Sequence, residues 1–167
     1  MINTINNKVF RNANEAYEYL HDKIIQEGAE FGDTKALFNV GFYITDPMDN
    51  LIYNKERNWN LDYARAEWKW YISGDRNISK LGDIYGKVPK IWRHMADEDG
   101  NVNSNYGWQW ERNNQIDYVI DLLKREPNTR QAAITILDSK EHDTFTFDTP
   151  CTYAIQFTIV HGRLDMC

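Results

Sequence analysis

Pro150 separates a loop from a strand in the run Asp148-Thr149-Pro150-Cys151-Thr152-Tyr153-Ala154-Ile155-Gln156-Phe157. A proline fixes its own φ and has no N–H, so a paired strand begins only after it. An alternating apolar run follows, the pattern of a strand with one buried face. Cys151 stands at the mouth of that strand, directly after the proline. At a strand edge a thiol can meet a ligand. A thiolate is the strongest nucleophile among ordinary side chains, so the position points to covalent catalysis. Taken alone, the same position also suits a small buried thiol of the core.

Helical spacing governs much of the rest. Ala13, Tyr17, Leu20 and Ile24 share a face, Asn12 or Asn14 can cap the start, and Gly28 can close the end. This predicts a helix over Ala13–Glu27. Leu61, Ala64, Trp68, Tyr71 and Ile72 predict a second helix over residues 61–72, closed by Gly74. Residues 78–81 and 90–96 read as short helices and residues 97–101 as a polar turn. Ile116, Val119, Ile120 and Leu123 make one more amphipathic helix, ended by Glu126-Pro127-Asn128. Strands are predicted over residues 37–45, 132–137 and 152–160, and after a His161-Gly162 turn from Arg163 onward. No repeat or linker divides these elements. Residues 1–167 therefore read as a single α+β domain in which helices cover a mixed or antiparallel sheet.

Composition narrows the function. Hydrophobic residues are 42% of the 167 and aromatics 14%, enough for a real core and too many for a disordered chain. Six Trp and ten Tyr can fill that core or form stacking walls for flat ligands such as nucleobases or pterins. A net charge of −6 argues against broad nucleic-acid binding, which neutralises phosphates with Lys and Arg. It leaves room for a single phosphate held by a few arginines. Cys151 and Cys167 make no disulfide framework. No metal site is expected, because Cys and His lack ligand spacing. Residues 1–10 are polar rather than a signal peptide, and no apolar run approaches the roughly 20 residues that span a bilayer. The expected compartment is a reducing cytoplasm.

Five pieces then occur in order: Pro89-Lys90-Ile91-Trp92, Asn103-Ser104-Asn105-Tyr106-Gly107-Trp108-Gln109-Trp110, Asn128-Thr129-Arg130, Pro150-Cys151 and Gln156-Phe157. In order and interval the chain resembles the thymidylate synthase family, which includes the pyrimidine nucleotide hydroxymethylases, some of them encoded by phages. The resemblance implies a thymidylate synthase-like α+β fold. It also implies transfer of a one-carbon unit from 5,10-methylenetetrahydrofolate, as co-substrate, to C5 of a pyrimidine deoxynucleotide, dUMP or dCMP. Thymidylate synthase chemistry, dUMP to dTMP, is the first expectation. A dCMP or dUMP hydroxymethylase of phage type is the alternative, and the first two pieces look like that branch. The two differ in whether an exocyclic methylene intermediate meets hydride or water.

The chemistry explains the residue types. C5 of a pyrimidine is a poor nucleophile; adding a thiolate at C6 turns the ring into an enolate or enamine that attacks through C5. An acid–base system must then move protons. By the resemblance, Cys151 is the nucleophile, with Arg130 as its candidate activating charge. Glu67 is the carboxylate that organises the proton-transfer water, and Tyr106 helps deprotonation at C5. Ile91 and Trp92 form the wall of the folate and base pocket. Glu67 also lies three residues from Ala64 and four from Tyr71, on the apolar side of its helix, where a carboxylate is costly without a purpose. A surface glutamate beside Arg65 or Lys69 fits the same spacing. Tyr106 by itself would read as core, and Ile91 and Trp92 as a hydrophobic staple. Gly107 lets backbone pass close to a ligand.

Arg130 matches the first of two adjacent arginines that the family sends across its dimer to the partner's phosphate; here Gln131 follows it. A homodimer is expected, with a phosphate grip weaker by about 1–3 kcal/mol if nothing replaces the lost charge. Gly32-Asp33-Thr34-Lys35 falls where the family has an R-T-G phosphate loop, and Lys35 is the substitute it offers. The family's R-S-x-D segment, its base-reading residue and its late H-x-Y do not occur by Cys167. The 167 residues alone are thus expected to be inactive. They would need further chain or a second polypeptide of a split enzyme, and a degenerate non-catalytic subunit is the reading from a different class. His94, His142 or His161 could pair with Cys151 in a hydrolase, but no local signature supports it. Neither a membrane nor a nucleic acid is expected as partner.

Overall fold

Asn12 opens the longest helix by keeping its own backbone extended (φ −142°) while its side chain accepts the Glu15 N–H at 2.9 Å. That bond satisfies one of the amide donors that every helix start leaves unpaired. The computed structural model describes residues 7–140, 145 and 148–167. Its contacts separate into two units, Met1–Asn60 and Leu61–Cys167.

In the first unit, β1 (Lys8–Phe10) leads into α1 (Ala13–Glu27), with the bounds the sequence predicts. A hairpin of β2 (Ala29–Phe31) and β3 (Thr34–Ala36) follows, turned at Gly32, whose φ is +63°. Lys35 therefore sits on a hairpin strand, and its ammonium donates to the Ile25 carbonyl at 3.2 Å. The strand expected over residues 37–45 shrinks to β4 (Phe42–Ile44). Asn39 takes a left-handed φ of +53°, which breaks the extended path before it. β4 pairs in parallel with β1, Phe10 opposite Ile44. Phe10 is buried against Tyr19 and Phe42, with ring centroids at 5.3 and 5.5 Å.

In the second unit, α2 (Leu61–Tyr71) buries Ala66 and Trp70, four residues apart. They meet Leu81 of α3 (Ile78–Tyr85) and Val102 in one apolar cluster, with Trp92 of α4 (Lys90–Met95) packed against it. The Trp70 indole N–H donates to the Asn77 carbonyl at 3.1 Å, so the polar end of a fully buried ring is satisfied. No apolar period marks α5 (Tyr106–Glu111). It forms because Asn105, itself buried, caps it through the Trp108 N–H at 2.9 Å and donates to the Asp75 carbonyl at 3.1 Å. Gly107 brings α5 against α2: a Cβ there would lie 1.6 Å from the Tyr71 carbonyl oxygen. The close backbone approach at Gly107 is thus made to a neighbouring helix.

A second cluster joins Val119 and Leu122 of α6 (Gln115–Arg125) to Ala132, Ile134 and Ile136. Ile134 belongs to β5 (Ala133–Thr135), which pairs antiparallel with β6 (Ala154–Val160); β6 in turn pairs with β7 (Arg163–Met166). His161 and Gly162 both have positive φ (50° and 75°), as a two-residue hairpin matching the strand twist requires. The result is an α+β fold. Its strands form both parallel and antiparallel pairs, spread over three small sheets among the described residues.

Candidate active site

Three residues one turn apart line one stripe of α2: Tyr63, Glu67 and Tyr71. The Tyr63 hydroxyl donates to Glu67 Oε1 at 2.7 Å and accepts the Trp92 indole N–H at 2.6 Å. Trp92 packs edge-on against Trp70, centroids 5.2 Å apart, which fixes its ring. Its neighbour Ile91 is 53% exposed. Trp92 is thus anchored against the core, while Ile91 faces outward.

Tyr71 continues the stripe. Its ring meets Tyr106 of α5 edge-on at 5.7 Å, and Tyr106 stacks on Trp110 at 6.3 Å. Burial, followed by the charge of Glu67, raises the Tyr71 phenol well above its ordinary range. Burial, followed by the hydrogen bond to Glu67, does the same to Tyr63, against the opposing bond from Trp92. Both phenols are held protonated beside the carboxylate.

Cys151 reaches this row through its backbone. Its N–H donates to the Tyr106 hydroxyl at 3.0 Å. The strand begins at Ala154, not Thr152, so Cys151 is on the approaching loop rather than on the strand edge, and it is exposed. Asp148 holds that loop. It is only 6% exposed and accepts both the Ser104 N–H and the Ser104 hydroxyl at 2.6 Å. The Asn103 side chain donates to the Asp148 carbonyl at 3.0 Å. Three bonds from residues 103–104 therefore fix the loop three residues before the cysteine.

The structure thus gathers Glu67, Tyr106, Trp92 and the Cys151 backbone along α2 and α5. Arg130 is exposed, in the segment between α6 and β5, and among the described residues nothing bonds it to Cys151. Neither His94 nor His161 hydrogen-bonds Cys151 among the described residues, and His142 lies outside them. No group of three potential metal ligands occurs among the described residues, and none of the described helices is long and apolar enough to cross a membrane. Tyr63 and Asp148 are two residues bonded into this arrangement that sequence reasoning missed. The spacing of Tyr63 four residues before Glu67 was the available signal. For Asp148 there was none, since its partner Ser104 lies 44 residues away.

The family model described as thymidylate synthase matches residues 15–167. A thymidylate synthase of Corynebacterium aurimucosum is 28% identical over 166 residues, covering 90% of this chain and 59% of that protein. The crystal structure of thymidylate synthase from T4 phage is 26% identical, with a TM-score of 0.51, over 63% of this chain and 42% of that one. The thermostable thymidylate synthase A from Bacillus subtilis is also 26% identical, with a TM-score of 0.49, over 63% of this chain and 39% of its own. The chain thus spans 59% of the length of the Corynebacterium relative. With a family match over nearly its whole length and a shared α+β fold, the chain belongs to the thymidylate synthase family.

Proposed function

We propose that the protein carrying this chain converts dUMP to dTMP, taking a one-carbon unit from methylenetetrahydrofolate. The observation that carries this reading is the Cys151 N–H bond to the Tyr106 hydroxyl, which brings two of the reaction's residue types into contact from 45 positions apart. The folate supplies the one-carbon unit and the hydride that completes a methyl group. Ile91, exposed, and Trp92, anchored behind it, suit one face of a flat pterin or base.

In this reading the Cys151 thiolate adds to C6 of the pyrimidine. A sulfur–carbon bond forms and the ring's π electrons move toward C5 and O4, so that C5 becomes the attacking carbon. C5 then bonds the one-carbon unit. Loss of the C5 proton breaks that unit's bond to the folate nitrogen. Hydride from the folate, which leaves as dihydrofolate, completes the methyl group, and elimination of the thiolate restores the ring. Tyr106 accepts from the Cys151 amide, so its own hydroxyl hydrogen points elsewhere and can bond the reacting base or a water beside it. Glu67 keeps one oxygen on Tyr63 and offers the other to the proton-transfer water. Arg130, exposed, would act on the phosphate bound by the partner of a homodimer, with Gln131 contributing no charge. In this reading residues 1–167 belong to one thymidylate synthase-like domain, working in the cytoplasm.

The test is tritium release from C5-labelled dUMP by the complete protein, with the product identified by mass. Folate-dependent release with dTMP as product supports the reading. A hydroxymethylated product, or release from dCMP alone, replaces it with a hydroxymethylase. No release from either nucleotide refutes it.

A further inference from the structure

An indole N–H can only donate, so the Tyr63 oxygen accepts the 2.6 Å bond from Trp92. A phenol has a single hydrogen, and Tyr63 commits it to Glu67 Oε1 at 2.7 Å. The direction of the chain from Trp92 to Tyr63 to Glu67 is therefore set by chemistry. Its two donors are held by packing. Trp92 is edge-packed on Trp70 at 5.2 Å, and the Tyr63 ring lies edge-on to Tyr85 at 5.2 Å. Tyr63 and Glu67 also share one helix face, a turn apart.

We infer that Tyr63 is a positioning residue for the reaction. It pins one oxygen of Glu67, aims the other toward the ligand side, and ties the carboxylate to the aromatic wall at Trp92. A carboxylate held this way spends no time sampling other rotamers when the substrate arrives. Burial and the neighbouring carboxylate keep the phenol protonated, so it serves as a donor throughout the neutral range. The inference rests on the role proposed for Glu67.

Tyr63→Phe removes the hydroxyl and keeps the ring. In the complete protein, kcat for folate-dependent tritium release from dUMP should fall roughly tenfold or more, because the proton-transfer group is no longer held. Thiol-driven debromination of 5-bromo-dUMP needs cysteine addition at C6 but no folate, and it should keep its parental rate. In a Glu67→Gln background, Tyr63→Phe should add no further loss, since it acts through that carboxylate. Unchanged turnover in Tyr63→Phe overturns the inference. So does a parallel loss of both reactions, which would mark a structural role, and so do multiplying losses in the double variant. A parent protein that performs neither reaction fails the proposed function itself and takes the inference with it.

Discussion

The Tyr106 hydroxyl accepts the backbone N–H of Cys151 at 3.0 Å, so a helix and a loop 45 residues apart share one hydrogen bond at the centre of the site. The bond fixes where the cysteine stands relative to the α2 row of Tyr63, Glu67 and Tyr71, because Tyr106 is itself seated edge-on against Tyr71 at 5.7 Å. What holds the loop from its other side is Asp148.

Removing Asp148 should loosen that loop. Its carboxylate is buried and takes two 2.6 Å bonds from Ser104, whose amide and hydroxyl would be left unpaired in Asp148→Ala. The expected cost is on the order of 2–3 kcal/mol, read as a lower urea midpoint at an unchanged slope. Asp148→Asn keeps one acceptor oxygen and should lose less. Parental stability in Asp148→Ala would show that the clasp contributes nothing.

Gly107 and Gly162 should respond to alanine for different reasons. At Gly107 the new Cβ would collide with the Tyr71 carbonyl at 1.6 Å, so α5 must move away from α2. Overpacking of this kind costs about 1–3 kcal/mol or more, and here it also displaces Tyr106. At Gly162 nothing lies within 4 Å, and only the left-handed φ of +75° opposes a side chain. That strain is worth about 1–2 kcal/mol. Thermal melts should rank Gly107→Ala below Gly162→Ala, and the reverse order would contradict the packing described for α5.

How much of this was legible in the sequence varied with how local the cause was. α1 emerged with both ends correct because Asn12 and Gly28 punctuate it from within four residues. The strand over residues 37–45 was overextended because nothing in the sequence announces the left-handed φ at Asn39. α5 stayed hidden because its six residues owe their helix to a cap and to contact with α2 rather than to an apolar period. Glu67, Tyr106 and Trp92 were nameable from spacing and resemblance, and they do converge. Tyr63 was passed over because a tyrosine on a helix face reads as packing until its hydroxyl is seen between Trp92 and Glu67. Asp148 stands three residues before Cys151, yet the residue it bonds lies 44 positions away.

Arg130 is the residue whose role depends on a second copy of the chain. If it serves the partner's site, Arg130→Ala and Cys151→Ala chains, each inactive alone, should regain part of the activity when mixed. One site of each mixed dimer would then hold both intact groups, and random mixing predicts up to about a quarter of the parental sites. No recovery after proven exchange of subunits would place Arg130 in its own site or outside it.

The central claim is that Cys151 forms the bond to the pyrimidine. Incubation of the complete protein with 5-fluoro-dUMP and methylenetetrahydrofolate, followed by peptide mass spectrometry, tests it most directly. The account predicts an adduct on the peptide containing Cys151, absent from Cys151→Ser and unaffected by Cys167→Ser. An adduct on Cys167, one that survives Cys151→Ser, or none at all would contradict it.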